Sequence, residues 1–148
     1  MCQYDLLRHD HEKVRSGLQI IHRMADANGR CRGHVFRQLT EKLLEHFKIE
    51  EEKLFSVIVP ENEAHEAVLE CIEEHRILRD LLGDLSDGGT GTRWDIKFNV
   101  FAKILEHHMI DEECEVYAFS FQLGNETMLL NAFDPIGSGP QPCAAREI

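Results

Sequence analysis

Leu44-Glu45-His46-Phe47-Lys48-Ile49-Glu50-Glu51 and Glu106-His107-His108-Met109-Ile110-Asp111-Glu112-Glu113 each place a glutamate four residues after a histidine and a second glutamate behind it. Four-residue spacing puts two side chains on one face of an α-helix, a turn apart. Each stretch, read as helix, therefore turns an imidazole and a carboxylate the same way. Nine histidines are present, yet only His46 and His108 have a glutamate at this distance.

Both stretches sit within apolar stripes that step by threes and fours. One stripe runs Phe36, Leu39, Leu43, His46, Glu50, Leu54 and Val57, and the other Phe101, Leu105, His108, Glu112, Val116 and Phe119. Two further stripes run Leu7, His11, Val14, Leu18, Ile21, Ala25 and Val68, Ile72, His75, Leu78, Leu82, Leu85. Every interruption is His or Glu. A buried, ionised glutamate is costly unless it is paired or binds a cation. His108 rather than its neighbour His107 is assigned inward, because that register keeps Leu105, Val116 and Phe119 in the core. His9, His22, His34 and His65 are read as surface or boundary residues, and Glu51-Glu52-Lys53 as a solvated face.

The stripes predict four helices and no strand, hence an all-α protein. The first helix spans about Tyr4 to Ala27 and is closed by Asn28-Gly29. The second spans about His34 to Ile58 and is stopped by Pro60, the one proline in the first 133 residues. The third begins near Glu61 or Asn62 and ends before the stretch Gly83 to Gly91, and the fourth spans about Asp95 to Gln122. Short connections favour an antiparallel up-down-up-down four-helix bundle over residues 1–124. Residues 125–148, with Asp134-Pro135 and Gly137-Ser138-Gly139-Pro140, read as a short packing segment and a loose tail, a C-terminal extension of the bundle.

Antiparallel geometry ties the four stripes together, because residues equidistant from a turn lie at the same height. The midpoint of His11 and His46 falls on Asn28-Gly29. The midpoint of His75 and the His46/Glu50 pair falls beside Pro60. The midpoint of His75 and the His108/Glu112 pair falls at residues 92 and 93, read as part of the glycine-rich loop. So His11, His46, Glu50, His75, His108 and Glu112 converge on one layer and are the candidate metal ligands.

Imidazole nitrogen with carboxylate oxygen suits iron, manganese, cobalt or zinc, and disfavours calcium and magnesium. Six converging ligands exceed the three or four protein ligands that one zinc uses, so two metals are expected. Either glutamate can bridge them. With iron the charges balance: two ferrous ions against two carboxylates, or two ferric ions with an added oxo bridge, leave the same net charge.

Composition excludes several classes. A net charge of −11 opposes nucleic acid and anionic membrane surfaces. No apolar run approaches a bilayer span, and the start lacks a signal-like apolar core. Five scattered cysteines (Cys2, Cys31, Cys71, Cys114, Cys143) form no C-x-x-C pair and suggest neither a disulfide framework nor a zinc ribbon. A reducing cytoplasm is the plain reading. Neither H-E-x-x-H nor the Glu-x-x-His pair of ferritin-like bundles is present.

Asp10-His11, the run His46 to Glu51, Glu74-His75-Arg76 and the run His108 to Glu113, in that order on a helical chain, resemble the hemerythrin-like (HHE cation-binding) domains from about Tyr4 to Phe121. The resemblance implies a di-iron centre, oxo- or hydroxo-bridged when oxidised, with His11, His46, His75 and His108 terminal and Glu50 and Glu112 bridging. It also implies a small ligand: dioxygen, peroxide or nitric oxide. The oxygen-carrying members place two histidines a turn apart on the third helix. Here Cys71 and Arg79 flank His75 at that distance, so the set is similar to the four-His, two-Glu sites of bacterial di-iron repair proteins and some sensors. Cys71 is read as a small buried apolar residue. Three functions stay open: a sensor or detoxifier of oxygen, peroxide or nitric oxide; an iron storage or donation protein for iron–sulfur repair; and a metal-stabilised interaction domain without chemistry.

Overall fold

The structure, a computed structural model, describes residues 3–24, 29–58 and 63–119. The expected tail 125–148, the end of the first helix at Ala27 and the stop at Pro60 lie outside these residues.

Four helices form the bundle: α1 (Gln3–Arg23), α2 (Gly29–Ile49), α3 (His65–Leu85) and α4 (Thr92–Asp111). Helix α2 continues into a π-helical turn, Glu50–Leu54, and a 3₁₀ turn, Phe55–Val57. Helix α4 likewise continues into a π-helical segment, Glu112–Tyr117. No strand occurs among the described residues. Cross-helix contacts fix the directions. His11 meets Glu113 while Arg15 meets Glu106, and His108 meets Glu74 while Lys97 meets Asp84. One number rises as the other falls, so α1 and α4, and α3 and α4, are antiparallel. The pairs Asp10–His46 and Gly17–Leu39 show the same for α1 and α2.

Helix boundaries depart from the sequence expectation in instructive ways. Helix α2 starts at Gly29, five residues before His34, although Gly29 and Gly33 are poor helix formers. Arg32 supplies the missing drive. It is 3% exposed, donates from Nε to the Gly89 carbonyl at 2.6 Å and from a terminal nitrogen to Asp95 at 2.8 Å, and stacks on Trp94. Helix α3 runs through Gly83 to Leu85. An interior glycine costs about 1 kcal/mol, less than the roughly 1.5–3 kcal/mol gained by burying Leu85. Helix α4 begins after Gly91, whose φ of 95° suits a residue without a Cβ.

The stripes form the core, although Val57 and Phe119 are only partly buried, Ala25 lies outside the described residues, and one position is corrected. Ile72 is 40% exposed, and Cys71 takes its place inward, in the same apolar cluster as Phe55 and Tyr117. The larger cluster, with Phe36, Leu43, Phe47, Leu78, Phe101 and Leu105, fills the bundle toward the α3–α4 loop. The smaller one, with Leu7, Leu54, Phe55, Val68, Cys71, Val116 and Tyr117, closes the other end. Between them lies the layer of histidines and glutamates.

Candidate metal centre

That layer contains all six side chains singled out from the sequence. His11, His46, Glu50, His75, His108 and Glu112 are each at most 2% exposed. Their donor atoms fall into two groups. Those of His11, His46, Glu50 and Glu112 lie within 4.8 Å of one another, and so do those of Glu50, His75, His108 and Glu112. Both glutamates belong to both groups. Glu50 reaches across the layer, with one carboxylate oxygen 3.0 Å from His46 Nε2 and the other 3.4 Å from His75 Nε2. Glu112 Oε2 lies 3.4 Å from His11 Nε2 and 3.5 Å from His108 Nε2. His107 points away, its ring 76% exposed and paired with Asp111 at 2.9 Å.

Each histidine is held from behind by an acid. His11 Nδ1 meets Glu113 at 2.7 Å and His46 Nδ1 meets Asp10 at 3.3 Å. His75 Nδ1 meets Glu51 at 2.8 Å and His108 Nδ1 meets Glu74 at 3.2 Å. A carboxylate accepting from Nδ1–H fixes the tautomer and turns the Nε2 lone pair inward, the usual support of a metal-bound imidazole. The arrangement repeats across the bundle. Asp10-His11 and Glu74-His75 are acid–histidine doublets, and Glu50-Glu51 and Glu112-Glu113 are double glutamates, each inner member facing the layer and each outer one holding a histidine. Glu51 is thus no solvated residue: it also binds Arg79 at 2.8 Å. Sequence reasoning missed these four outer acids, although the repeated doublets were a visible signal for them.

It also missed Tyr117. In an α-helix the residue a turn beyond Glu112 is Val116. Because the helix widens to i→i+5 geometry from Glu112 onward, the residue five further on swings to the same face. The Tyr117 hydroxyl, fully buried, donates to Glu50 Oε1 and lies 3.3 Å from His11 Nε2 and 3.4 Å from Glu112 Oε2. Helix α2 widens in the same register at Glu50, and there the fifth residue is Phe55, which stacks on His75.

The donor set fits cations. With Nδ1–H of His75 and His108 given to Glu51 and Glu74, two Nε2 lone pairs face each other 3.0 Å apart, which needs a proton or a metal between them. Glu112 Oε1 is buried without a hydrogen-bond partner, while His46 Nε2 approaches Glu50, and Glu50 Oε2 approaches His75, in poor hydrogen-bond geometry. A buried polar atom left unsatisfied costs on the order of 1–3 kcal/mol, and all three belong to residues of the two donor groups.

Protonation of the metal-free layer is uneven. Burial opposes charge on His46, but Glu50 and Asp10 outweigh it and raise His46 to about 9. Burial and the neighbouring His46 lower His11 to about 4, so it stays neutral. Burial also works against charge on Glu50, yet His46 prevails and holds it well below the ordinary carboxylate range. Burial and then the Glu50 charge push Glu112 well above that range. Two carboxylates this close share one proton in the absence of metal. Burial, with Glu112 and Glu50 beside it, keeps the Tyr117 phenol protonated. Burial, with the Glu112, Glu74 and Glu50 carboxyl groups nearby, likewise raises the Cys71 thiol far above its usual range, so Cys71 is an apolar filler in the metal-free protein. Arg79, the other flank of His75, faces Glu51 and the Phe47 ring.

An antiparallel bundle whose facing helices supply histidines and two shared glutamates to one buried layer defines a cation-binding helical protein. Residues 2–119 match the hemerythrin HHE cation-binding domain, and the chain belongs to that family. Comparison with curated proteins and with solved structures gave no match. Among the described residues no helix is long and apolar enough to cross a membrane.

Proposed function

We propose that the chain is a non-haem di-iron protein that binds or reacts with dioxygen, peroxide or nitric oxide, in sensing or detoxification. One observation carries the reading: two overlapping four-residue donor groups share Glu50 and Glu112. Two carboxylates common to two sets of imidazoles are what a bridged metal pair requires, and mixed nitrogen and oxygen donors suit iron.

When bound, the iron pair supplies one-electron redox chemistry and positions for a small ligand. The protein's part is to hold and shield it. Glu50 and Glu112, common to both donor groups, and the four histidines would hold it, with Asp10, Glu51, Glu74 and Glu113 keeping the imidazoles in orientation. Leu54, Phe55 and Val116 on one side and Phe47, Leu105 and Met109 on the other are buried and would shield it from water. A cytoplasmic setting remains our reading of the cysteine pattern; Cys31, Cys71 and Cys114 are free thiols.

Metal analysis of protein expressed with iron and purified with and without air tests the reading. Two irons per chain are expected, with near-ultraviolet charge-transfer bands after oxidation. One ion per chain, or zinc in preference to supplied iron, overturns it. Iron donation is the second reading. The four outer acids are between 24% and 30% exposed, so carboxylates stand between the buried histidines and solvent. Rapid transfer of iron to an apo iron–sulfur acceptor, with slow peroxide turnover, would favour it.

A further inference from the structure

Tyr117 and Phe55 occupy matching places, five residues beyond Glu112 and Glu50, each at a π-helical widening. Each ring stacks on a histidine: Tyr117 on His11 with centroids 5.5 Å apart, Phe55 on His75 at 5.7 Å. The match fails at one atom, because the tyrosine carries an oxygen where the phenylalanine ends in carbon. That oxygen touches Glu50 Oε1 and lies 3.3 Å from His11 Nε2 and 3.4 Å from Glu112 Oε2. Neighbouring donors on one octahedral ion are about 3 Å apart when the bonds are about 2.1 Å. All three contacts belong to residues of the same donor group, the one completed by His46.

We propose that the Tyr117 hydroxyl oxygen is a fifth protein ligand of the metal held by His11, His46, Glu50 and Glu112. The metal between His75 and His108 has no such donor, because Phe55 stands in the equivalent place. Coordination breaks the phenol O–H bond: the oxygen gives a lone pair to the metal, and the proton leaves to buffer, as protons do when a site loads. A cation at this point reverses the electrostatics that keep the phenol protonated in the metal-free layer. The proposal rests on the di-iron reading but can fail alone.

The test is spectroscopic and begins with the wild-type protein. Ferric iron bound to a tyrosine oxygen absorbs in the visible, apart from near-ultraviolet bands, and excitation there enhances ring vibrations in the Raman spectrum. Air-oxidised protein with two irons per chain should show that band and those vibrations. Tyr117→Phe should lose both while keeping its helical circular dichroism and its iron. Tyr4→Phe, which removes the other tyrosine of the chain, should lose neither. Two irons without a visible phenolate band overturns the ligand while leaving the di-iron reading intact, as does a band that survives Tyr117→Phe. Protein that takes up no iron overturns both.

Discussion

His75 Nδ1 lies 2.8 Å from Glu51 Oε1, and Arg79 binds the same carboxylate oxygen at 2.8 Å, so one part-exposed acid links a buried histidine of the layer to a surface cation. Glu51 directly follows Glu50, and a single double-glutamate step therefore supplies both a carboxylate common to the two donor groups and the support for a histidine on another helix.

Loss of that support should weaken the metal site without unfolding the bundle. Glu51→Ala should lower affinity at the His75–His108 position by about 10–100-fold, the usual effect of removing an acid behind a metal-bound imidazole. Competition with a coloured chelator reads the change, and circular dichroism checks the helices. Affinity unchanged within error would mean that Glu51 serves only Arg79.

His107 and His108 should separate cleanly. The exposed His107 pairs with Asp111, whereas His108 is buried beside Glu112 and His75. His108→Ala should halve the iron content or abolish the near-ultraviolet spectrum, and His107→Ala should leave both close to wild type. The reverse result would shift the helix α4 register by one residue.

Loading should expel protons. Metal binding needs neutral imidazoles and ionised carboxylates. In the metal-free protein His46 is raised to about 9 and Glu112 stands well above the carboxylate range, so both carry protons at neutral pH. Apparent affinity should therefore climb as pH rises toward 9. The sign for stability is opposite. A histidine with a raised folded pKa stabilises the metal-free fold fully below its unfolded value of about 6.5 and loses that contribution as pH passes through about 9. The gap in Tm between loaded and metal-free protein should widen from pH 6 to 9. Calorimetric titration with ferrous iron in buffers of different ionisation enthalpy counts the protons; a titration that releases none contradicts the assignment.

Oxygen should oxidise the diferrous protein without forming a persistent adduct. The partners of His75 one turn away are a buried thiol, Cys71, and a guanidinium committed to Glu51, so no second imidazole completes that end. Anaerobic protein mixed with oxygen should keep its oxidised spectrum after the oxygen is removed. Return of the starting spectrum on simple deoxygenation would show reversible carriage instead.

The sequence by itself determined the four-helix plan and the six side chains of the layer. Both follow from periodicity: a 3.6-residue repeat chooses the face that is buried, and equidistance from a turn chooses its height. Periodicity also shows why His108 rather than His107 lies inward. What it could not carry was any feature in which the repeat is broken or the partner belongs to another helix. Tyr117 enters the layer only because the backbone widens at Glu112, and an unbroken α-helical count points to Val116 instead. Glu51 reads as solvent-facing on its own helix, and only the approach of α3 gives it His75 and Arg79 to hold. Gly29 and Gly33 argue locally against helix, and Arg32 overrules them by binding a loop 57 residues away. Local spacing set which residues meet the layer, while packing between helices decided how each is oriented once there.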